Sequence, residues 1–254
     1  MFIKSSIFIL VPFIILTSFK QDKEITLVLG SETCKMSIRG DDDKFGKFIS
    51  LHDNENSSVE SYMEIETLMP SCKLYELKQN EERLIKYEYN RKVYLFDPNR
   101  IFSNVGIKGT LKKYNKNFPK EIVNGLEAFA DNLLVTMKIK NTNNYIVAIH
   151  NNTNNEFSIL SYKNSKDACE IYINSSEDID NFFIVTTKTD FEYFKSNQRN
   201  VVLQSQNVID DGSLSIYCQK NNLRYINIEA QHGHKDEQIK MIQETYSLIK
   251  NKTK

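Results

Sequence analysis

Lys47–Pro70, KFISLHDNENSSVESYMEIETLMP, is the stretch whose reading decides the fold. FISL, Phe48–Leu51, reads as a short buried strand, and His52 closes it. Ser57 followed by Glu60 fits a capping box. VESYMEIETLM, from Val59, then runs as a helix that Pro70 stops. A buried strand that passes straight into a helix is the repeating unit of an α/β sheet, so the same pattern is sought outward in both directions.

Upstream, ITLVLG and CKMSIRG look like short strands that end in glycine. Downstream, LYEL, RLIKYEY and KVYLF read as strands, and DPNRIFS, Asp97–Ser103, as a turn-rich loop. FPKEIVNGLEAFADNLLVTMKI has the helical period, with Ile122, Leu126, Phe129 and Leu133 along one face. After it, NYIVAIH, FSILSY, FFIVTT, VVLQS and YINIEA read as strands. DFEYFKSN, GSLSIYCQKN and the amphipathic KDEQIKMIQETYSLIKN read as helices. Strands alternate with helices through the second half. The expectation is one α/β domain over residues 21–254, with a central mixed, largely parallel sheet flanked by helices.

The 33 basic and 33 acidic residues of the 254-residue chain cancel, so there is no basic excess to hold nucleic acid and no acidic tail. Residues 1–20 have Lys4, an apolar run from Ile7 to Leu16, and small polar residues after it. This is the layout of a secretory signal, and the run is short for a membrane span, which needs about 20 residues. The expected location is outside the cytoplasm. The cleavage site is poorly marked, so an uncleaved N-terminal anchor is the alternative, and membrane contact is expected only through this segment. Cys34, Cys72, Cys169 and Cys218 form no CxxC pair, which disfavours a cysteine-based zinc site. They are open to one or two disulfides or to remaining as buried thiols.

Three residues with metal or acid–base chemistry fall at the carboxyl ends of predicted strands: His52, His150 and Glu229. Open α/β sheets bind ligands there. Two histidines and one glutamate are an attested zinc set that leaves a position open for water. His52 and Glu55 supply two ligands from one strand-to-helix turn, and His150 the third. Glu229 is then the carboxylate free to move a proton. Arg100, after Pro98 and Asn99, is the residue to clamp a carboxylate through two parallel hydrogen bonds. The plainer readings are a buried hydrogen-bonded histidine, a loop glutamate and a salt-bridged turn arginine. They are weakest for Glu229, because a carboxylate that ends an apolar strand is costly unless partnered.

The set HDNE, DPNR, IVAIHNN and INIEA, in this order from His52 to Glu229, resembles the zinc carboxypeptidase superfamily, including its aspartoacylase and succinylglutamate desuccinylase branch. The spacings fit: 50 residues from Arg100 to His150 and 79 from His150 to Glu229. The resemblance implies Zn²⁺ on His52, Glu55 and His150, with Glu229 as general base. It implies that Asn99 and Arg100 bind the free carboxylate of a peptide or N-acyl amino acid. It also implies an upstream arginine at the oxyanion, for which Arg83 and Arg91 both qualify. The expected function is an exported amide hydrolase of the metallocarboxypeptidase kind. The alternatives are an N-acyl amino acid deacylase and a non-enzymatic binding protein on the same scaffold. His232 and His234, just past Glu229, read as surface residues that open the last helix.

Overall fold

The structure, a computed structural model, describes residues 23–154 and 156–252. The predicted signal segment, residues 1–20, lies outside them. Nine strands form one sheet, in the order β1 (Lys23–Leu29), β2 (Glu32–Arg39), β4 (Cys72–Lys78), β3 (Gly46–Ser50), β7 (Tyr145–Asn152), β11 (Tyr225–Gln231), β9 (Phe182–Val185), β10 (Val201–Gln204) and β8 (Ala168–Tyr172). The ladders β4–β3, β3–β7 and β7–β11 at the centre are all parallel, as is β9–β10. The remaining ladders, toward the two edges, are antiparallel. β5 (Ile85–Tyr89) and β6 (Lys92–Phe96) form a separate hairpin.

Alternation along the buried strands builds two cores, one on each face of the sheet. Phe48, Leu74, Tyr145, Val147 and Ile149 face one side, where they meet α1 (Asn56–Ile65), α4 (Lys188–Ser196) and α6 (Lys235–Lys252). Ile49, Tyr75, Ile146 and Ala148 face the other, against α2 (Asn104–Tyr114), α3 (Lys120–Thr136) and α5 (Leu214–Lys220). The four α3 residues predicted to share a face are all buried, each burial contributing about 1.5–3 kcal/mol. This is the expected α/β domain with its helix-flanked mixed sheet. Among the described residues no helix is long and apolar enough to cross a membrane.

Two local expectations are corrected, and two elements join those expected. α1 starts at Asn56, so Ser57 lies inside it and forms no capping box; Glu55 stands at the cap without a side-chain bond to it. The Glu55 carboxylate is turned inward instead. FSILSY is not a strand: Ile159–Tyr162 is a 3₁₀ turn in which the Ser158 and Ser161 side chains cap each other's backbone. α2 was not read because Gly106 and Gly109 weaken its propensity; the Ser103 hydroxyl caps it by accepting from the Gly106 N–H. β8 was missed because its residues are only partly buried and show no clear alternation. All four cysteines are free thiols, with Cys34, Cys72 and Cys218 buried and Cys169 exposed.

Candidate metal centre and active-site cavity

The site forms at the carboxyl ends of the central parallel strands. β3 is buried along its whole length and ends at Ser50. The chain then turns, with the Glu55 N–H donating to the His52 carbonyl at 3.1 Å. Asp53 pins this turn by accepting from the backbone N–H groups of Gln79 and Glu81 at 2.6 and 2.8 Å. The tight loop brings the two side chains together: His52 Nδ1 and Glu55 Oε1 lie 2.8 Å apart. On β7, Ile149 points to the α1 side, so His150 points to the opposite face, and its Nδ1 lies 2.7 Å from Glu55 Oε2. Glu229 is the parallel-ladder partner of His150 on β11. All four side chains are buried.

His52, Glu55 and His150 each offer one donor atom, all within 4.8 Å of one another. Two imidazoles and a carboxylate suit zinc, which takes both at about 2.0–2.2 Å. The electrostatics also favour a cation. Burial works against a charged His52, yet the Glu55 carboxylate and the hydrogen bond to Asp97 raise its pKa to about 9. Glu55 is held well below its ordinary range: burial would raise it, but His150 and His52 outweigh that. A proton shared among such groups marks a place where a metal ion can substitute. Where an ion displaces that proton, an Nε2–H donated to Asp97 would leave the His52 Nδ1 lone pair for the point the three donors share.

Asp97 is the functional residue that the sequence reading missed. Its Oδ1 lies 2.8 Å from His52 Nε2. It also caps the 3₁₀ turn Pro98–Arg100 by accepting from the Asn99 N–H. Carboxylates in this position orient metal-binding histidines. Burial tends to raise Asp97, but the hydrogen bond and charge of His52 and the charge of Arg83 bring it well below its usual range. The signal was available, since Asp97 ends the apolar run VYLF as Glu229 nearly ends YINI. The two upstream arginines differ in position. Arg83 bridges Glu55 (2.8 Å) and Asp97 (3.4 Å) and lines the cavity. Arg91 sits exposed at the tip of the β5–β6 hairpin, with φ +61°.

The cavity is about 530 Å³, and its wall includes His52, Glu55, His150, Glu229, Asn99 and Arg100. Every predicted site residue therefore reaches one space. Glu229 has a raised pKa, chiefly from burial, with the Glu55 charge adding to it; His150 and the Asn227 amide, which donates to Glu229 Oε1 at 2.8 Å, oppose it. The Asn99 side chain is partly committed elsewhere, since its Oδ1 accepts from the Leu214 N–H at the start of α5. Arg100 is half-exposed, with Nη1 donating to the Asn99 carbonyl and Nε 3.4 Å from Asp211. His232 is exposed on the cavity rim and His234 lies outside its wall at the start of α6.

Neither a protein-family model nor a curated protein matches the chain. Among solved structures it is similar to a succinylglutamate desuccinylase from Chromobacterium violaceum, at 13% identity and a TM-score of 0.47, over 91% of this chain and 70% of that one. It is also similar to candidate metallopeptidases from Shewanella baltica (12% identity, TM-score 0.43, over 89% and 84% of the two chains) and Shewanella denitrificans (12%, 0.42, 90% and 82%). The class that fold and site define is an α/β protein with a buried His–Glu–His cluster beside a separate buried glutamate.

Proposed function

We propose that the protein is an exported zinc-dependent amide hydrolase that acts next to a free carboxylate, on a peptide, a cell-wall peptide or an N-acyl amino acid. One observation carries the reading: three metal donors, a separate carboxylate with a raised pKa and the partly exposed Arg100 share one cavity. His52, Glu55 and His150 would hold the ion, with Asp97 fixing the first. Zinc, when bound, polarises the amide carbonyl and acidifies water. Glu229 takes the proton of the attacking water and delivers it to the leaving nitrogen. Arg83, braced on Glu55 and Asp97, directs N–H donors at charge that develops on the carbonyl oxygen. Arg100 grips the carboxylate, which orients the amide. The apolar run Ile7–Leu16 supports action outside the cytoplasm.

The test combines elemental analysis of the purified protein with a hydrolysis screen of N-acyl amino acids and short peptides with free or amidated C-termini. The expected result is about one zinc per chain, lost in His150→Ala, and cleavage confined to free acids. Equal zinc in wild type and His150→Ala removes the ligand assignment. Equal cleavage of amidated substrates removes the carboxylate requirement.

A further inference from the structure

Arg100 does not face the cavity alone. Asp211 lines the same wall, with its Oδ2 3.4 Å from Arg100 Nε. The two side chains are partly exposed, yet the backbone fixes their proximity. Asp211 Oδ1 accepts from the Ser213 N–H at 2.9 Å. The Phe102 N–H donates to the Gly212 carbonyl at 2.9 Å. Gly212, at φ +78°, packs so tightly that a Cβ there would lie 2.5 Å from both the Arg100 carbonyl oxygen and the Gly106 Cα. The turn that carries Asp211 is thus locked to the segment that carries Arg100.

This pairing has a consequence for charge. When a substrate carboxylate takes Arg100, Asp211 loses its partner and faces a second anion. Among the described residues the wall has no lysine, and only one arginine besides Arg100. Its other arginine, Arg83, is engaged by Glu55 and Asp97, whereas Glu156 and Glu229 add carboxylates. Tyr162, the hydroxyls of Ser213 and Ser215, 3.0 Å apart, and the amide of Asn227 add neutral polar groups to the same wall. A positive charge on the residue that bears the carboxylate restores the balance, and a negative one worsens it.

We propose that Asp211 makes the site selective for a leaving residue with a cationic side chain, such as lysine, arginine or another diamino acid, and against acidic ones. This rests on the carboxylate-gripping role of Arg100 proposed above. The test uses zinc-loaded protein and three probes, Nα-acetyl-lysine, Nα-acetyl-leucine and Nα-acetyl-glutamate, with binding followed by calorimetry and hydrolysis by amine release. Wild type should bind the lysine probe about tenfold or more tighter than the glutamate probe. Asp211→Asn, which keeps the acceptor for the Ser213 N–H, should bring the two within about threefold. Equal binding by wild type, or an undiminished preference in Asp211→Asn, overturns the proposal. If the lysine preference is present and depends on Asp211 but no probe is cleaved, the hydrolase reading fails and this one stands. If glutamate and lysine probes are cleaved equally fast, the hydrolase reading stands and this one fails. Binding of none of the three removes both.

Discussion

Asp97 offers the sharpest test of the metal-site reasoning, because it touches no predicted metal donor atom and acts only through His52 and Arg83. Replacing it with alanine removes the acceptor at 2.8 Å from His52 Nε2 and the partner of Arg83 Nη2. The His52 ring is then free to rotate within its pocket, and its Nδ1 is no longer presented to Glu55 and His150. Loss of such an outer carboxylate typically weakens metal binding 10- to 100-fold, or about 1.4–2.7 kcal/mol. Alanine also deletes the cap on the Asn99 N–H, worth about 1 kcal/mol of stability. Asp97→Asn keeps the volume and an oxygen toward the ring, so its loss belongs at the lower end, about tenfold. Competition with a chromophoric chelator at neutral pH reads the zinc affinity directly, and circular dichroism checks the fold. Zinc affinity within twofold of wild type in a folded Asp97→Ala protein refutes the idea that His52 is a ligand positioned by this carboxylate.

Glu229→Gln should keep zinc and lose activity by roughly 10²- to 10⁴-fold. Because the folded pKa of Glu229 is raised, protonation disables the base as pH falls through that value, so the acid limb of kcat/KM should lie above the ordinary glutamate value of about 4.3; a limb at or below it contradicts the burial argument. Asp43→Ala strands the buried Lys47 ammonium, now paired at 3.2 Å, and should cost about 3 kcal/mol in denaturant unfolding. The Lys47 pKa is lowered, chiefly by burial, with Asp43 opposing. The unfolded chain therefore binds more protons, and the mutant's stability should recover as pH rises through the lowered value; a flat profile removes the assignment. In thiol titration of the native protein only exposed Cys169 should react fast, since burial raises Cys34 to about 11 and Cys72 to about 12 and pushes Cys218 well up; a second fast thiol is the failing result.

The residues legible in the sequence were those whose role depends on strand ends. His150 and Glu229 follow apolar runs whose placement any parallel sheet repeats, and His52 is tied to Glu55 by a loop too short to separate them. The partners of Asp97 and Asp211 were illegible for the opposite reason. Each works through a partner distant in sequence: Asp97 through His52, and Asp211 through a loop held by the Gly106–Gly212 backbone contact. That contact also explains Gly106 in α2, a glycine that costs helix propensity but stands where backbone must meet backbone. The capping-box reading of Ser57 and Glu60 failed because it assigned the helix start by local chemistry, whereas Glu55 is drawn inward by two histidines. FSILSY has strand-like apolar content, but paired serines close it into a turn.

β11 lies between β7 and β9 at the heart of the sheet, yet it is the last of the described strands in chain order. His52, Glu55 and His150 all lie on the earlier part of the chain, whereas Glu229 arrives with the closing strand. A nascent or C-terminally shortened chain can assemble the ion-holding half of the centre while its sheet remains split, with β7 and β9 each exposing an open edge. On the roles proposed above, the donors for the ion belong to earlier strands and loops, and the base belongs to the strand that joins the two halves of the sheet.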